Sequence, residues 1–134
     1  MKGIADTGFL VAYLNTKDQH HRWALEIEDA AALPLLTCEP VLVETAYLLR
    51  DVGAVLHLVE SRFLRLDFDL KQHAAQLKAL AAQFADQRPD LCDLCVVRMS
   101  ELFRHHQVLT TDRRDFTVYR RNQRELIPLI LPPE

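Results

Sequence analysis

Residues 4–14, IADTGFLVAYL, join a short apolar strand to an apolar helix through an acid. Residues 2–5 have the pattern of a short strand, and residues 7–14 have the apolar continuity of a buried helix. Asp6 lies at the junction, where the strand ends and the helix begins. This order predicts a β–α unit with a carboxylate at the carboxyl end of its strand.

The rest of the chain alternates strands and helices in the same way. Further strands are predicted at residues 33–37, 63–68, 108–110 and 127–131, and helices at about 19–31, 40–53, 54–61, 69–87 and 90–105. The segment TKDQ at 16–19 matches a capping box before the second helix, and Asp69 is placed to cap the helix that follows it. Alternating strands and helices predict a layered α/β domain with a mainly parallel sheet.

Length and composition are those of an ordinary globular domain. The chain has 134 residues, of which 49% are hydrophobic and 26% charged, so residues 1–134 are expected to form a single domain. Apolar runs of about 18 residues and a secretion signal are both absent, which favours a cytoplasmic protein without membrane contact. Three cysteines, an odd number, argue against a disulfide framework.

The net charge of -3 conceals a basic segment. Residues 98–124 contain seven arginines and three acids, a local charge of +4, so the remaining residues carry -7. A basic segment is compatible with contact to phosphates, although arginines on a solvated face give the same count.

Carboxylates are expected to meet at one edge of the sheet, because ligands bind beyond the carboxyl ends of parallel strands. Asp6 ends the first strand, and Asp112 follows the fourth. Glu44 and Asp93 lie near the starts of predicted helices, and Asp90 shares a helix face with Asp93. The apolar neighbours of these helical acids are expected to be buried: Val41, Leu42, Leu48, Leu91, Leu94 and Val97. An acid in such surroundings is seldom left unpaired.

Four carboxylates in one place would repel each other and raise their pKa values unless a cation lay among them. Mg²⁺ or Mn²⁺ is the predicted ion, because the ligands are hard oxygens and no matching set of histidines and cysteines is present. Such a site suits the hydrolysis of a phosphate ester. Each acid alone is more often a helix cap or a surface ion pair, so the prediction depends on their combination.

Four motifs, in order, resemble those of the PIN-domain nucleases, and within them the small VapC-like toxins of toxin–antitoxin pairs. They are IADTGFLVAYL (4–14), PVLVETAYLL (40–49), LCDLCVVRMSE (91–101) and VLTTDRRDFTVYR (108–120). NTKDQHHRWA (15–24) is similar to the family's next loop and helix start, which usually carries a histidine. The resemblance covers nearly the whole chain.

The resemblance implies a Mg²⁺- or Mn²⁺-dependent endoribonuclease with a three-layer α/β fold, in which helices flank the parallel central sheet. It implies a homodimer that is silenced by a cognate antitoxin. It also implies four residues that bind metal and carry catalysis: Asp6, Glu44, Asp93 and Asp112. Four others are expected to support them: Thr7, Thr110, Asp90 and Asp115. Asp115 is either an outer ligand or the cap of a short turn.

Several arginines follow or interrupt the last motif: Arg113, Arg114, Arg120 and Arg121. They are candidates for contact with RNA phosphates or with an acidic segment of an antitoxin, and the alternative is a solvated face. The sequence leaves both open.

Two alternative functions remain at this stage. One is a stand-alone PIN nuclease that processes RNA without an antitoxin, and the other is a non-catalytic interaction module on the same fold. The intact acids argue against the second, because a decayed site should have lost at least one of them.

Histidines and cysteines are given no chemical role. His20 and His21 are near the expected active edge, but histidines at a helix start are usually surface residues. Cys92 and Cys95 are best interpreted as small helix-packing residues, since no histidine pair at the required spacing accompanies them.

Overall fold

Strand β1 (Gly3–Ala5) is the central strand of a five-stranded sheet in the computed structural model, which describes residues 1–134. The sheet has the order β3-β2-β1-β4-β7, and all its neighbours are parallel. Ile4 pairs with Leu36 on one side and with Val108 on the other. The remaining strands are β2 (Leu35–Thr37), β3 (Leu64–Leu66), β4 (Gln107–Leu109), β5 (Arg120–Arg121), β6 (Glu125–Leu126) and β7 (Leu129–Ile130).

Seven helices flank the sheet and give the three layers of the predicted α/β fold. They are α1 (Thr7–Leu14), α2 (His21–Ala30), α3 (Glu39–Leu49), α4 (Val52–Glu60), α5 (Ala74–Gln83), α6 (Leu91–Leu102) and α7 (Arg113–Phe116). None of them combines the length and the apolarity that a membrane span requires.

The core lies against β1 and α1, as the first motif predicts. Phe9 and Leu10 of α1 are fully buried, and the Phe9 ring meets Trp23 of α2 edge to face, with ring centroids 5.7 Å apart. The Thr37 hydroxyl donates a hydrogen bond of 2.9 Å to the carbonyl oxygen of Ala5. This bond joins the ends of β1 and β2 immediately before Asp6.

The helix predicted over 40–53 is wrong at its end. Helix α3 stops at Leu49, because Arg50 adopts a left-handed conformation with φ of 53°. The Asp51 carboxylate then accepts a hydrogen bond of 3.0 Å from the backbone N–H of Ala54 and starts α4 at Val52. Gly53 therefore lies inside α4 and does not end α3.

The helix predicted over 69–87 is also interrupted. Turns of 3₁₀ helix at Leu70–His73 and Ala85–Gln87 flank α5, so the regular helix covers only Ala74–Gln83. The prediction that Asp69 caps this region is confirmed, since its carboxylate accepts a hydrogen bond of 3.2 Å from the Lys71 N–H. The helix predicted over 90–105 is shorter as well and ends at Leu102.

The capping box predicted at 16–19 does not form. Helix α2 starts at His21, and no side chain caps it. Asn15 and Asp18 instead accept hydrogen bonds from the backbone N–H groups of Lys17 and His20, at 3.0 and 2.8 Å. These bonds fold residues 15–20 into a tight loop between α1 and α2.

Strands β5 and β6 form an antiparallel ribbon that the sequence did not predict. Its buried Arg121 is only 5% exposed, and its guanidinium donates to the carbonyl oxygens of Ser100 (2.8 Å) and Arg104 (3.3 Å) and pairs with Glu125 (2.7 Å). The interpretation of Arg121 as a contact for RNA phosphates is therefore wrong, because this side chain satisfies the carboxyl end of α6.

Candidate active site

Asp6 and Asp112 are held together by the hydroxyl of Thr110. Asp6 follows β1 and Thr110 follows the neighbouring β4, as the topological rule for parallel sheets predicts. The buried Thr110 hydroxyl donates to Asp6 Oδ2 at 2.7 Å and accepts from the backbone N–H of Asp112 at 3.0 Å. One side chain thus fixes the Asp6 carboxylate and the start of the Asp112 turn.

Asp93 is fixed on α6 by two neighbours. Asp90 is the N-cap of α6 and accepts a hydrogen bond of 2.8 Å from the Asp93 N–H, so Asp93 lies in the first turn. The hydroxyl of the buried Tyr119 donates to Asp93 Oδ2 at 2.8 Å. Asp90 therefore positions the backbone of Asp93, and Tyr119 orients its carboxylate.

Asp112 and Asp115 share helix α7. Asp112 is the N-cap of this helix, and its carboxylate accepts from the Asp115 N–H at 3.0 Å. Asp112 is therefore the cap of α7, and no backbone N–H of the following turn (DFTVYR, 115–120) donates to the Asp115 carboxylate, so the predicted cap of that turn by Asp115 does not form. One carboxylate oxygen from each of Asp93, Asp112 and Asp115 lies within 4.8 Å of the others.

Glu44 reaches the same place from α3. It is half-buried, and its negative charge raises the pKa of Asp6. Val41, Leu94 and Val97 are buried as predicted, whereas Leu48 and Leu91 are 56% and 50% exposed. The expectation that all apolar neighbours of the helical acids are buried is wrong for those two, and Leu42 is only half-buried.

The acids line a single cleft of about 490 Å³. Its fourteen lining residues are Asp6, Thr7, Gly8, Val11, Asp18, Gln19, His20, Glu44, Leu48, Asp90, Asp93, Thr111, Asp112 and Asp115. Seven of the fourteen are acidic, and they include all six acids that the sequence selected. Neither Arg113 nor Arg114 belongs to this lining.

Burial and crowding raise the pKa values of the central acids. Burial raises the pKa of Asp6 to about 6, and the charges of Glu44 and Asp112 contribute in the same direction, while the Thr110 hydrogen bond lowers it. Burial raises the pKa of Asp93 to about 7 despite the hydrogen bond from Tyr119. Burial also raises the pKa of Asp112. The folded protein therefore favours the protonated form of these three carboxyl groups over the charged form.

Basic side chains do not compensate this charge. The ion pairs of the structure join other residues, and Arg113, next to Asp112 in the chain, pairs with Glu134 and donates to the Pro132 carbonyl oxygen. The hydrogen bonds that Asp6 and Asp93 accept from side chains come from uncharged hydroxyl groups. The centre thus has an excess of oxygen ligands and no cation of its own.

Two further features fit a small, hard cation. The Thr7 hydroxyl oxygen is buried beside Asp6 and has no hydrogen-bond partner, so one more oxygen is available at the cleft. Every candidate donor is a carboxylate or hydroxyl oxygen, which is the donor type that Mg²⁺ and Mn²⁺ prefer. The residues therefore fit the implied metal.

Gly8 keeps this part of the cleft open. A Cβ atom at Gly8 would lie 2.0 Å from the Thr111 hydroxyl oxygen, a distance that no side chain tolerates. A larger residue at this position would therefore force the Thr111 side chain to move.

Sequence reasoning missed Tyr119 and Asp18 as residues of this region, and it placed His20 near the active edge without giving it a role. Tyr119 belongs to the last motif, but only the fold of α7 brings its hydroxyl to Asp93 on another helix. Asp18 and His20 line the cleft because the loop after α1 turns back over it. Asp18 and His20 belong to the segment 15–24, which directly follows the first acid motif, and this proximity could have placed them near the site.

The cysteines behave as packing residues, as predicted. All three are free; Cys38 and Cys95 are fully buried, and Cys92 is half-buried. Cys95 belongs to the main core cluster, and Cys92 packs against it.

A parallel sheet with acids at the carboxyl ends of its central strands defines an α/β protein with a candidate hydrolytic metal centre. The model of the PIN domain family matches residues 4–122, which is most of the chain, so the chain belongs to the PIN domain family. It is 29% identical over 123 residues to Ribonuclease VapC26 of Mycobacterium tuberculosis, an alignment that covers 87% of this chain and 91% of that protein. The predicted family and fold are thereby confirmed.

We expect the metal-free protein to lose stability as the pH rises from about 4 to about 7. The folded-state pKa values of Asp6 and Asp93, about 6 and about 7, lie above the ordinary carboxyl value. Protonated carboxyls favour the folded state, so this stabilisation is present below the unfolded-state pKa and is lost as the pH passes the folded-state values. Urea unfolding in EDTA at several pH values measures the effect.

Asp93→Asn separates this effect from other titrations. The amide keeps an acceptor for Tyr119 without a charge, so at pH 8 this variant should be more stable than the native chain by about 1 kcal/mol or more. At pH 4 and below the two should be similar. The control Asp29→Asn changes an exposed acid of α2 and should follow the native chain at both pH values. Equal pH dependence in Asp93→Asn and the native chain would contradict the prediction.

Proposed function

We propose that this chain is a Mg²⁺- or Mn²⁺-dependent endoribonuclease that hydrolyses phosphodiester bonds of RNA. The observation that carries the proposal is the convergence of seven acids in one cleft that no lysine or arginine lines. The family supports nuclease chemistry, and the name of the mycobacterial relative, a ribonuclease, supports RNA as the substrate.

Four residues are assigned to hold the ion: Asp6, Glu44, Asp93 and Asp112. When bound, a divalent cation offsets the charge of the phosphate and makes an attacking water more acidic. Asp115 is an additional candidate ligand, because its carboxylate lies within 4.8 Å of those of Asp93 and Asp112. The unpartnered Thr7 hydroxyl adjoins this set.

Positioning is assigned to the residues that hold these carboxylates. Thr110 sets the orientation of Asp6, and Tyr119 that of Asp93. Asp90 shapes the start of α6 through its bond to the Asp93 N–H. Such supporting hydrogen bonds keep ligands in the geometry that a metal requires.

Arg114 is the better of the two adjacent arginines for contact with RNA. It is exposed on α7 next to Asp115, and its guanidinium makes no hydrogen bond or ion pair. Arg113 is engaged with Pro132 and Glu134 at the end of the chain. A phosphate contact is therefore assigned to Arg114 before Arg113.

We further propose that the protein is the toxin of a type II toxin–antitoxin pair, acts in the cytoplasm and forms a homodimer. The support for a protein partner is an exposed apolar stripe on each of two helices. Val43 and Tyr47 of α3 are 70% and 79% exposed, and Val52 and Leu56 of α4 are 62% and 58% exposed. Exposed apolar groups of this extent are typical of contact surfaces.

Cleavage of a single-stranded RNA is expected in Mn²⁺ or Mg²⁺ and should stop in excess EDTA. Asp6→Asn and Asp93→Asn each remove a charged ligand and should lower the cleavage rate by about 100-fold or more. The control Asp29→Asn should cleave at the native rate. Gel analysis of a labelled oligoribonucleotide provides the measurement. Cleavage that persists in EDTA, or in both active-site variants, would refute the metal mechanism.

Tyr119→Phe should weaken Mn²⁺ binding by about 10-fold or more, because the Asp93 carboxylate loses the hydroxyl that orients it. Titration calorimetry with the folded variant measures this affinity. Tyr13→Phe is a matched control, since it removes another tyrosine hydroxyl bonded to a carboxylate, that of Glu28. Equal Mn²⁺ affinities in the two variants would show that Tyr119 has no positioning role.

Light scattering should give a mass near twice the 15.5 kDa of one chain. Tyr47→Asp should reduce it to that of a monomer at micromolar concentration, because a charge on the apolar stripe of α3 opposes association. Leu126→Asp, which alters a 66% exposed leucine on β6, should leave the mass unchanged. A monomeric native chain would contradict the homodimer.

A further inference from the structure

His20 is the single side chain in the acidic cleft that can carry a positive charge. The other lining residues are seven acids, neutral polar residues, glycine and aliphatic residues. His20 is half-buried, so it is accessible to a substrate that enters the cleft. The metal site does not explain why this one basic side chain lies among the carboxylates.

The structure holds His20 in place from two sides. Its backbone N–H donates to Asp18 Oδ1 at 2.8 Å, and its ring meets the buried Trp23 edge to face, with centroids 6.4 Å apart. The adjacent His21 differs, because its Nδ1 lies 2.7 Å from the Ala12 carbonyl oxygen and so joins α2 to α1. The two neighbouring histidines therefore have separate surroundings, and only His20 lines the cleft.

Phosphodiester hydrolysis needs a proton at the leaving oxygen as well as an activated water. An alkoxide is a poor leaving group, and general acids contribute typically about 10²- to 10⁴-fold to such steps. The four carboxylates that are assigned to the metal cannot supply this proton while they bind it. Histidine is the side chain suited to proton transfer near neutral pH.

We propose that His20 is the general acid of this hydrolysis, an inference that rests on the proposed nuclease function. The water oxygen forms a bond to phosphorus, and the bond from phosphorus to the leaving oxygen breaks. The leaving oxygen keeps the electron pair and takes the proton of a His20 ring N–H. The proton of the attacking water passes to solvent, and the ring regains a proton from solvent.

The test compares His20→Gln with the native chain on two substrates. The first is an oligoribonucleotide whose cleavage site and product ends have been mapped, and the second carries sulfur in place of the leaving oxygen at that site. A thiolate leaves without protonation, so His20→Gln should lower kcat about 100-fold or more on the oxygen ester and much less on the sulfur ester. The control His105→Gln alters an exposed histidine beyond the carboxyl end of α6 and should match the native chain on both.

The pH profile gives a second readout. On the oxygen ester, kcat of the native chain should fall at alkaline pH, and this limb should be absent in His20→Gln. The charged groups that face the cleft with His20 are all acids, and His20→Gln leaves each of them in place: Asp6, Asp18, Glu44, Asp90, Asp93, Asp112 and Asp115.

Each outcome decides the inference. An equal loss of kcat on both esters, or a raised KM with unchanged kcat, would overturn it. A thermal melt and Mn²⁺ titration of His20→Gln should match the native chain, which excludes misfolding and ligand loss. If the native chain cleaves neither ester with Mn²⁺ or Mg²⁺, the nuclease function fails and the inference with it. If the native chain cleaves the oxygen ester and His20→Gln cleaves it at the same rate, the inference fails and the nuclease function stands.

Discussion

The hydroxyl of Thr110 is the interaction on which the geometry of the acidic cleft depends. It donates to Asp6 at 2.7 Å and accepts from the Asp112 N–H at 3.0 Å, so it links the ends of β1 and β4. Because these strands are adjacent and parallel, their carboxyl ends meet without any long loop. The Thr37 bond to Ala5 fixes the other side of β1. Asp6 thus projects from a rigid part of the sheet, where a ligand loses little freedom on binding.

The part of the site that lies at strand ends could be predicted from the sequence. Asp6 and Asp112 follow apolar runs, and the rule for parallel sheets places both at one edge. Glu44 and Asp93 were recognised as acids among apolar helix residues, but their meeting with Asp6 depended on the family resemblance. The position of Asp115 stayed open, because it depends on which acid caps the four-residue helix α7, and local sequence offers both. A cap of this kind is decided by backbone geometry.

The fold class was predictable, and the element boundaries were less so. A pattern of apolar residues identifies helices and strands, but it does not detect a left-handed residue such as Arg50, which ends α3 without glycine. The segment 69–87 has the composition of one helix, yet it consists of α5 between two 3₁₀ turns. The ribbon of β5 and β6 contains two residues a strand, too few for any alternation to show. Tertiary contacts such as those of Arg121 set these features.

The side-chain donors around the acids are neutral, so they do not cancel the negative charge of the carboxylates. Thr110 and Tyr119 bind Asp6 and Asp93 through neutral hydroxyls, which orient a carboxylate without cancelling it. A guanidinium donor to Asp93 would instead neutralise this carboxylate and compete with any cation for its oxygens. Burial raises the pKa values of Asp6 and Asp93, and the hydrogen bonds from these two hydroxyls lower them only in part. The acidic site destabilises the folded state, and the large core around β1 and α1 offsets this effect. A bound cation would stabilise the folded state further.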